Sequence, residues 1–184
     1  MSPEEIESIL RGQFQAELAG RIERYSKSRV HGVIPQGYFA PASSECRDLY
    51  VSGHFYGCIT LCQTVAEGLA KFIAEKNGLP QVEEHIAQVN IIRKRRNPPP
   101  ISELASRAFR AIRGEDRNDF HHLDPEIEQD YIKLDARAFA CLEALYRIES
   151  EVFAFDVENG KLRVAYERYW PQTEDAVKVE LRLR

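Results

Sequence analysis

The sequence has no apolar run close to the roughly 20 residues that a membrane-spanning helix needs. Its first ten residues, MSPEEIESIL, are acidic, whereas a signal peptide begins with basic residues. It also has no Cys-x-x-Cys pair, and Cys58 and Cys62 lie one helical turn apart in an apolar segment, so buried thiols are expected rather than a disulfide or a zinc site. These absences predict a cytoplasmic protein that has no membrane segment.

Several catalytic signatures are absent as well. The sequence contains no glycine-rich phosphate loop and no G-x-S-x-G elbow, and beside His121 and His122 it has no helically spaced cluster of carboxylates that could hold two metal ions. It therefore gives little support to a serine or cysteine hydrolase or to a metal-dependent nuclease. We predict no metal and no cofactor.

The composition is that of a globular domain with a sizeable core, with 184 residues of which 43% are apolar and 29% charged. The net charge is -4, but residues 93–117 contain eight basic residues and only three acidic ones. A local positive potential can attract a polyanion to one face of an acidic protein, because salt screens distant charges. The alternative for this segment is a solvated basic turn.

The helices are marked by their caps and by apolar spacing. Ser2, Pro3 and Glu5 form a capping box, and the apolar stripe that follows predicts a first helix with one buried face. A long central helix is predicted from Ser44 to Asn77, with Gly78 as its left-handed cap. A weaker helix over 81–96, a short one from Ser102 to Gly114 and a last long one that begins at Asp124 follow it.

Beyond Phe153 the apolar period changes to two. Asn159-Gly160 predicts a hairpin, and the alternation in VKVELRLR predicts an edge strand that completes a three-stranded antiparallel sheet. The predicted fold class is mainly α, a helical bundle over residues 1–154 with a small C-terminal antiparallel β-sheet over 155–184. The loop after the first helix is predicted to be irregular.

The stretch RNDFHH carries the functional prediction. If it is helical, Asn118 and His122 share a face, and Arg117 can reach the same point on its long side chain. A guanidinium can bind a phosphate, an amide can orient it, and an imidazole can move a proton near neutral pH. Cleavage of RNA without metal needs these groups, because a base must activate the 2′-hydroxyl and a cation must stabilise the transition state.

At these residues the chain resembles the HEPN domain family, whose members are all-helical and whose ribonucleases carry an Arg-x(4-6)-His motif near the start of the last bundle helix. The resemblance covers residues 44–153, including the long second helix. It implies a metal-independent endoribonuclease that acts as a homodimer, with the motifs of two protomers in one cleft. Arg117 would bind the scissile phosphate, Asn118 would orient it or the arginine, and His122 would be the general base or acid, with His121 as the alternative.

The neighbouring arginines extend this prediction. Arg107, Arg110 and Arg113 recur every three residues, so we expect one basic face on the short helix that leads into the motif and assign it to RNA binding. Tyr166, Tyr169 and Trp170 could stack bases, or could be the packed face of the small sheet.

Two alternatives to catalysis stay open. The chain could be a non-catalytic, HEPN-like scaffold for dimerisation or partner binding, because many members of the family lack activity, or it could be a module that binds a nucleotide or phosphate through Arg117 without chemistry. The resemblance also leaves open whether a partner protein neutralises the activity.

Overall fold

A computed structural model describes residues 1–35, 39–94, 97–114, 129–170 and 179–181. These ranges contain six α-helices: α1 (Pro3–Lys27), α2 (Ala40–Val51), α3 (Phe55–Lys76), α4 (His85–Lys94), α5 (Glu103–Arg113) and α6 (Tyr131–Val152). They also contain four short strands: β1 (Val33–Pro35), β2 (Phe155–Glu158), β3 (Lys161–Val164) and β4 (Val179–Leu181). The predicted fold class, mainly α with a small C-terminal antiparallel sheet, is confirmed.

The central element is α3, which packs against α2, α4, α5 and α6. Apolar residues cover most of its circumference, so it can be buried on several sides at once. All four cysteines are free and buried in this core, as predicted. Hydrogen bonds with Cys46 and Cys58, together with burial, raise the pKa of the Cys62 thiol well above its ordinary value. A thiol in such surroundings is inert.

The predicted helix from Ser44 to Asn77 is two helices, because the chain turns sharply at Gly53. Gly53 adopts a φ of +80°. Its amide donates to the Tyr50 carbonyl at 3.0 Å, and the His54 amide donates to the Leu49 carbonyl at 2.9 Å. This pair of bonds is the Schellman ending of a helix, which requires a left-handed residue that glycine supplies without steric cost.

The short helix α5 has the predicted caps, whereas the last helix begins later than predicted. Ser102 accepts a hydrogen bond from the Ala105 amide at 3.1 Å, and Gly114 ends the helix with a φ of +61°. The N-cap of α6 is Asp130 rather than Asp124, because its carboxylate accepts bonds from the amides of residues 132 and 133. The predicted start at Asp124 lies outside the described residues.

The capping box of α1 is present as predicted, since Ser2 and Glu5 exchange hydrogen bonds. The predicted burial of its apolar stripe is wrong, because no residue of α1 is buried. Its second half touches α2 through polar contacts, such as the bond from Arg24 Nε to the Val51 carbonyl at 3.0 Å. Residues 1–17 are exposed throughout, so the first half of the helix extends past the bundle.

The hairpin is confirmed, but the predicted third strand pairs elsewhere. Strands β2 and β3 form an antiparallel ladder, and Asn159 and Gly160 both have positive φ in the turn between them. Strand β4 pairs instead with β1, in the segment that was predicted to be irregular. The sequence of β1 includes Ile34, whose side chain is fully buried and holds this segment against the helices. The C-terminal segment is thereby joined to the chain that follows α1.

None of the described helices combines the length and the apolar character that crossing a bilayer requires.

Replacing Gly53 by alanine should destabilise the protein. An added Cβ would lie 2.8 Å from the Tyr131 hydroxyl, and alanine is strained at this positive φ. We expect the free energy of unfolding to fall by about 1–3 kcal/mol, measured by urea denaturation. The matched control is Gly12→Ala in α1, where an added Cβ meets nothing within 4 Å and alanine favours the helix. Equal losses in both variants would contradict the role given to Gly53.

Candidate nucleic-acid interface

The predicted catalytic residues Arg117, Asn118, His121 and His122 lie outside the described residues, in the stretch 115–128. The structure describes where this stretch begins and ends. It begins after Gly114, at the C-terminal end of α5, and the chain continues at residue 129, two residues before α6. The geometry of the candidate site is therefore the geometry of these two helix ends and of the basic face of α5.

The C-terminal end of α5 is held by two side chains from other helices. Gln63 of α3 donates from Nε2 to the carbonyls of Ile112 at 3.4 Å and Arg113 at 3.3 Å. Arg137 of α6 donates to the carbonyls of Ala111 at 3.0 Å and Ile112 at 3.4 Å. The last carbonyls of a helix have no donor within the helix, so these bonds satisfy them and fix the point where the chain leaves α5.

The N-terminal end of α6 is fixed by its own cap and by an aromatic contact. Asp130 accepts from the Ile132 amide at 2.9 Å. The ring of Tyr131 lies 4.7 Å, between centroids, from the ring of Phe55, the first residue of α3. Aromatic pairs at this separation add to the free energy of burial. Both helix ends that flank residues 115–128 are thus attached to α3.

The three arginines of α5 do not form one face. Each step of three residues turns the helix by about 60° backwards, so Arg107 and Arg113 point in different directions. Arg110 Nη2 donates to Asn90 Oδ1 of α4 at 2.6 Å, and Arg113 Nη2 lies 3.4 Å from Glu84 Oε1 at the start of α4. Arg107 instead borders the groove between α5 and α6. The predicted basic face is wrong in this respect, because two of its members pack toward α4.

Local carboxylates also reduce the positive potential of these arginines. Burial alone would raise the pKa of Glu84, but hydrogen bonds from the amides of Ala87 and Ile86 outweigh it and, with Arg113 nearby, lower that pKa. Glu84 is therefore a carboxylate at neutral pH and offsets the charge of Arg113. Arg107 is 72% exposed and lies 3.4 Å from Glu103, a surface pair that contributes little energy and can be exchanged for a phosphate.

The groove between α5 and α6 is bordered by two exposed arginines. Its volume is about 400 Å³, and its floor is made of small side chains, which let the two helices approach closely. Arg107 borders it on α5 and Arg147 on α6, while Glu143 contributes a carboxylate that is already paired with Arg29. Arg147 was not predicted as a site residue, since its position in the sequence carries no motif.

The predicted base-stacking residues divide between surface and core. Tyr169 and Trp170 are buried, Trp170 with its ring edge against Phe153, so neither can meet a nucleobase. Tyr166 is exposed and lines a larger cavity of about 990 Å³ beside Pro99 and Leu104. Leu104 borders both this cavity and the groove, so the two are adjacent.

In the described part of the chain, no group of three or more histidine, cysteine, aspartate or glutamate side chains is arranged to hold a metal ion. Comparisons with protein-family models, curated proteins and solved structures found no match to this chain.

Arg137→Ala should lower the free energy of unfolding. The substitution removes an exposed hydrogen bond to the Ala111 carbonyl and a part-buried one to the Ile112 carbonyl, which keeps Gln63 as a donor, so we expect a loss of about 1 kcal/mol. Arg147→Ala is the matched control, because Arg147 lies on the same helix and is exposed. Chemical denaturation measures the free energy of unfolding of both variants. A loss in Arg147→Ala as large as in Arg137→Ala would show that the effect is one of charge on α6 and not of capping α5.

Proposed function

We propose that this protein is a metal-independent endoribonuclease of the HEPN type, with Arg117, Asn118 and His122 as its catalytic residues. The observation that carries the proposal is the sequence RNDFHH between α5 and the last bundle helix, the place where the family's motif occurs. The helical surroundings support it, because the motif-bearing stretch starts and finishes at helix ends that are fixed on the central helix. Shared fold alone would not carry a function.

The proposed chemistry is attack of a 2′-hydroxyl on the adjacent phosphate. His122, or His121 in its place, takes the proton of the 2′-hydroxyl as a general base. Arg117 stabilises the negative charge that builds up on the phosphate oxygens, and Asn118 holds the phosphate or the guanidinium in position. The leaving 5′-oxygen is protonated by a second acid, which a homodimer could supply from the other protomer's motif. The products are a 2′,3′-cyclic phosphate and a 5′-hydroxyl.

The approach of RNA is proposed to follow the groove between α5 and α6. Arg107 and Arg147 border this groove, and α5 leads along it toward the motif. An 11-residue helix is about 16 Å long, so a single strand of a few nucleotides would span it. Arg110 and Arg113 contribute less in this arrangement, because Asn90 and Glu84 engage them.

A non-catalytic scaffold for dimerisation or partner binding is the second candidate function. The exposed apolar side chains of α1 favour it, since a helix without a buried face provides a surface for another chain. A scaffold would not need the titratable histidines or the arginine of the motif, so substitutions there distinguish the two functions.

Cleavage of mixed RNA in the presence of a chelator tests the nuclease. We expect His122→Ala to lower the rate about 100-fold or more, which is the usual contribution of a general base, and Arg117→Ala to lower it similarly. His121→Ala tests the alternative histidine, and Arg163→Ala, an exposed arginine of the hairpin, is the control for loss of one positive charge. Intact RNA with the wild-type protein, equal cutting by both variants, or 3′-hydroxyl products would contradict the proposal.

Binding of single-stranded RNA tests the groove separately from the chemistry. In a background of His122→Ala, Arg107→Ala should weaken binding and reduce the dependence of log Kd on log salt by about one phosphate contact. Arg163→Ala should leave both unchanged, because this arginine is on the hairpin. Fluorescence anisotropy at several salt concentrations measures both quantities. An unchanged salt dependence in Arg107→Ala would exclude the groove as the binding path.

A further inference from the structure

The cavity beside Tyr166 is formed by two segments that are distant in the sequence. Residues 98–100, all prolines, line it on the chain that leads into α5, and Tyr166 and Arg168 line it on the chain that follows β3. Its volume of about 990 Å³ is at the upper end of the range of small-molecule sites, which is about 300–1,000 Å³. A ligand of the size of a nucleotide therefore fits in it.

One carboxylate of this cavity has a fixed orientation. Glu151 of α6 accepts a hydrogen bond from the Ser102 amide on Oε1 at 2.6 Å, and its Oε2 accepts one from the Ser102 hydroxyl. Both residues line the cavity. A carboxylate can accept about four hydrogen bonds, so each oxygen can accept another one from a ligand. Glu151 is therefore a two-oxygen acceptor that is oriented before a ligand arrives.

A cation lies in the same part of the cavity. Arg168 Nη1 donates to Asn77 Oδ1 at 2.7 Å, and this bond uses one of the five N–H groups of the guanidinium. Burial is the main cause that raises the pKa of the Tyr169 hydroxyl, and the charge of Glu151 raises it further. The hydrogen bond with Asn77 and the charge of Arg168 act on that pKa in the opposite direction. Both charges therefore lie close to the Tyr169 hydroxyl.

Tyr166 provides an aromatic surface in the cavity. It is 42% exposed, and its ring lies 6.0 Å, between centroids, from the ring of Tyr169. Tyr169 is buried, and its hydroxyl accepts a hydrogen bond from Asn77 Nδ2 at 3.0 Å, so the exposed ring rests on a fixed one. Leu104 adds an exposed apolar side chain to the same lining. An exposed ring beside apolar groups is suited to stack on a nucleobase.

We propose that this cavity binds a guanine nucleotide, with Glu151 accepting from the base, Tyr166 stacking on it and Arg168 binding its phosphate. The pairing edge of guanine presents two adjacent donors, N1–H and N2–H, which match the two oxygens of a carboxylate as a bidentate pair. Adenine and cytosine have an acceptor beside their amino group, and uracil has one donor between two acceptors. Those acceptors would meet the carboxylate with repulsion, so the site selects guanine.

The two charges of the cavity favour a nucleotide over a cationic ligand. An arginine side chain of a peptide would also match a carboxylate beside an aromatic ring. It would bring a second guanidinium close to Arg168, whereas a nucleotide offers donors to Glu151 and an anion to Arg168. A guanine nucleotide is complementary to both charges.

The same base is carried by free nucleotides and by RNA, and the cavity is placed to meet either. Leu104 borders both this cavity and the groove between α5 and α6. Ser102 and Gly114 are at opposite ends of α5, so a strand in the groove would place a guanosine in the cavity a few nucleotides from the motif. Only binding of a strand rests on the proposed ribonuclease, since a protein that cuts no RNA would still bind the free nucleotide.

Isothermal titration calorimetry with nucleoside monophosphates tests the cavity. We expect GMP to bind about 10-fold or more tightly than IMP, which lacks the 2-amino group, because a hydrogen bond to a charged acceptor is lost. AMP, CMP and UMP should also bind more weakly than GMP. Tyr166→Ala should weaken the binding of GMP about 10-fold, whereas Tyr56→Ala, at an exposed tyrosine of α3, should not.

Glu151→Gln tests the role of the carboxylate. The amide replaces one acceptor oxygen by a donor, so the ratio of the Kd of IMP to that of GMP should fall toward one. A ratio measured within one variant does not change through a general loss of stability, which circular dichroism checks separately. Glu158→Gln is the matched control, because this carboxylate is on the hairpin and pairs with Arg163. It should leave the ratio unchanged.

Single-stranded RNA distinguishes the two sources of the base. In a background of His122→Ala, fluorescence anisotropy compares a strand of uridines with the same strand containing one guanosine. A preference for guanosine that Glu151→Gln removes identifies RNA as a ligand, and binding of GMP without that preference identifies the free nucleotide. Absence of both overturns the proposal, as does a GMP affinity no higher than that for AMP, a GMP preference that Glu151→Gln retains, or displacement of GMP by a lower concentration of arginine. No outcome depends on cleavage, so failure of the cavity and failure of the ribonuclease are distinguishable.

Discussion

Burial of α3 is the constraint on which the other helices depend. A helix that is buried on several sides needs several neighbours, and α2, α4, α5 and α6 supply them. Gln63 is a polar residue inside this apolar surface, and its amide must find acceptors because an unsatisfied buried donor costs about 1–3 kcal/mol. The carbonyls at the end of α5 are those acceptors. One buried amide therefore helps to hold the end of α5, from which the motif-bearing stretch leaves the bundle.

Not all of the positive charges near residues 115–128 are available to attract a polyanion. A count of residues gives a basic segment, but Arg110 donates a hydrogen bond to Asn90 and Arg113 forms an ion pair with Glu84, and these contacts attach α5 to α4. Groups engaged in this way contribute to packing and less to attraction of a polyanion. The acidic net charge of the chain then matters less than the placement of Arg107 and Arg147, since charges beyond about 10 Å are screened at ordinary salt.

Local signals in the sequence were sufficient to predict elements whose ends are capped by their own residues. Ser102 and Gly114 bound α5 as predicted, and Gly78 ends α3 in a left-handed conformation. Gly53 also ends its helix, α2, with a left-handed residue, but the apolar residues continue on both sides of it, so the sequence around it resembles a helix interior. The difference lies in tertiary packing, because the Tyr131 side chain occupies the space beside Gly53.

Pairings between distant segments could not be predicted in this way. The partner of β4 is β1, which is separated from it by the whole bundle, and alternation of residues specifies a strand without specifying its neighbour. The start of α6 was missed because Asp124 and Asp130 are equally good caps by residue type, and the contact of Tyr131 with Phe55 favours the second. For the candidate site, sequence identified the residue types of the motif, while Gln63 and Arg137, which position the adjoining helix end, have no local signature.

The helical conformation of α1 is favoured by interactions within the helix itself. Its capping box and three ion pairs, Glu7–Arg11, Glu17–Arg21 and Glu23–Lys27, all have the acid four residues before the base, which is the favourable orientation in the helix dipole. Each pair contributes about 0.2–0.5 kcal/mol and the cap about 1 kcal/mol, so together they offset about half of the cost of helix nucleation. The cap and the ion pairs favour the helical conformation of α1, but they do not bury its apolar side chains. The apolar stripe adds nothing to a lone helix in water, and its regular spacing has an energetic consequence only when a second surface covers it.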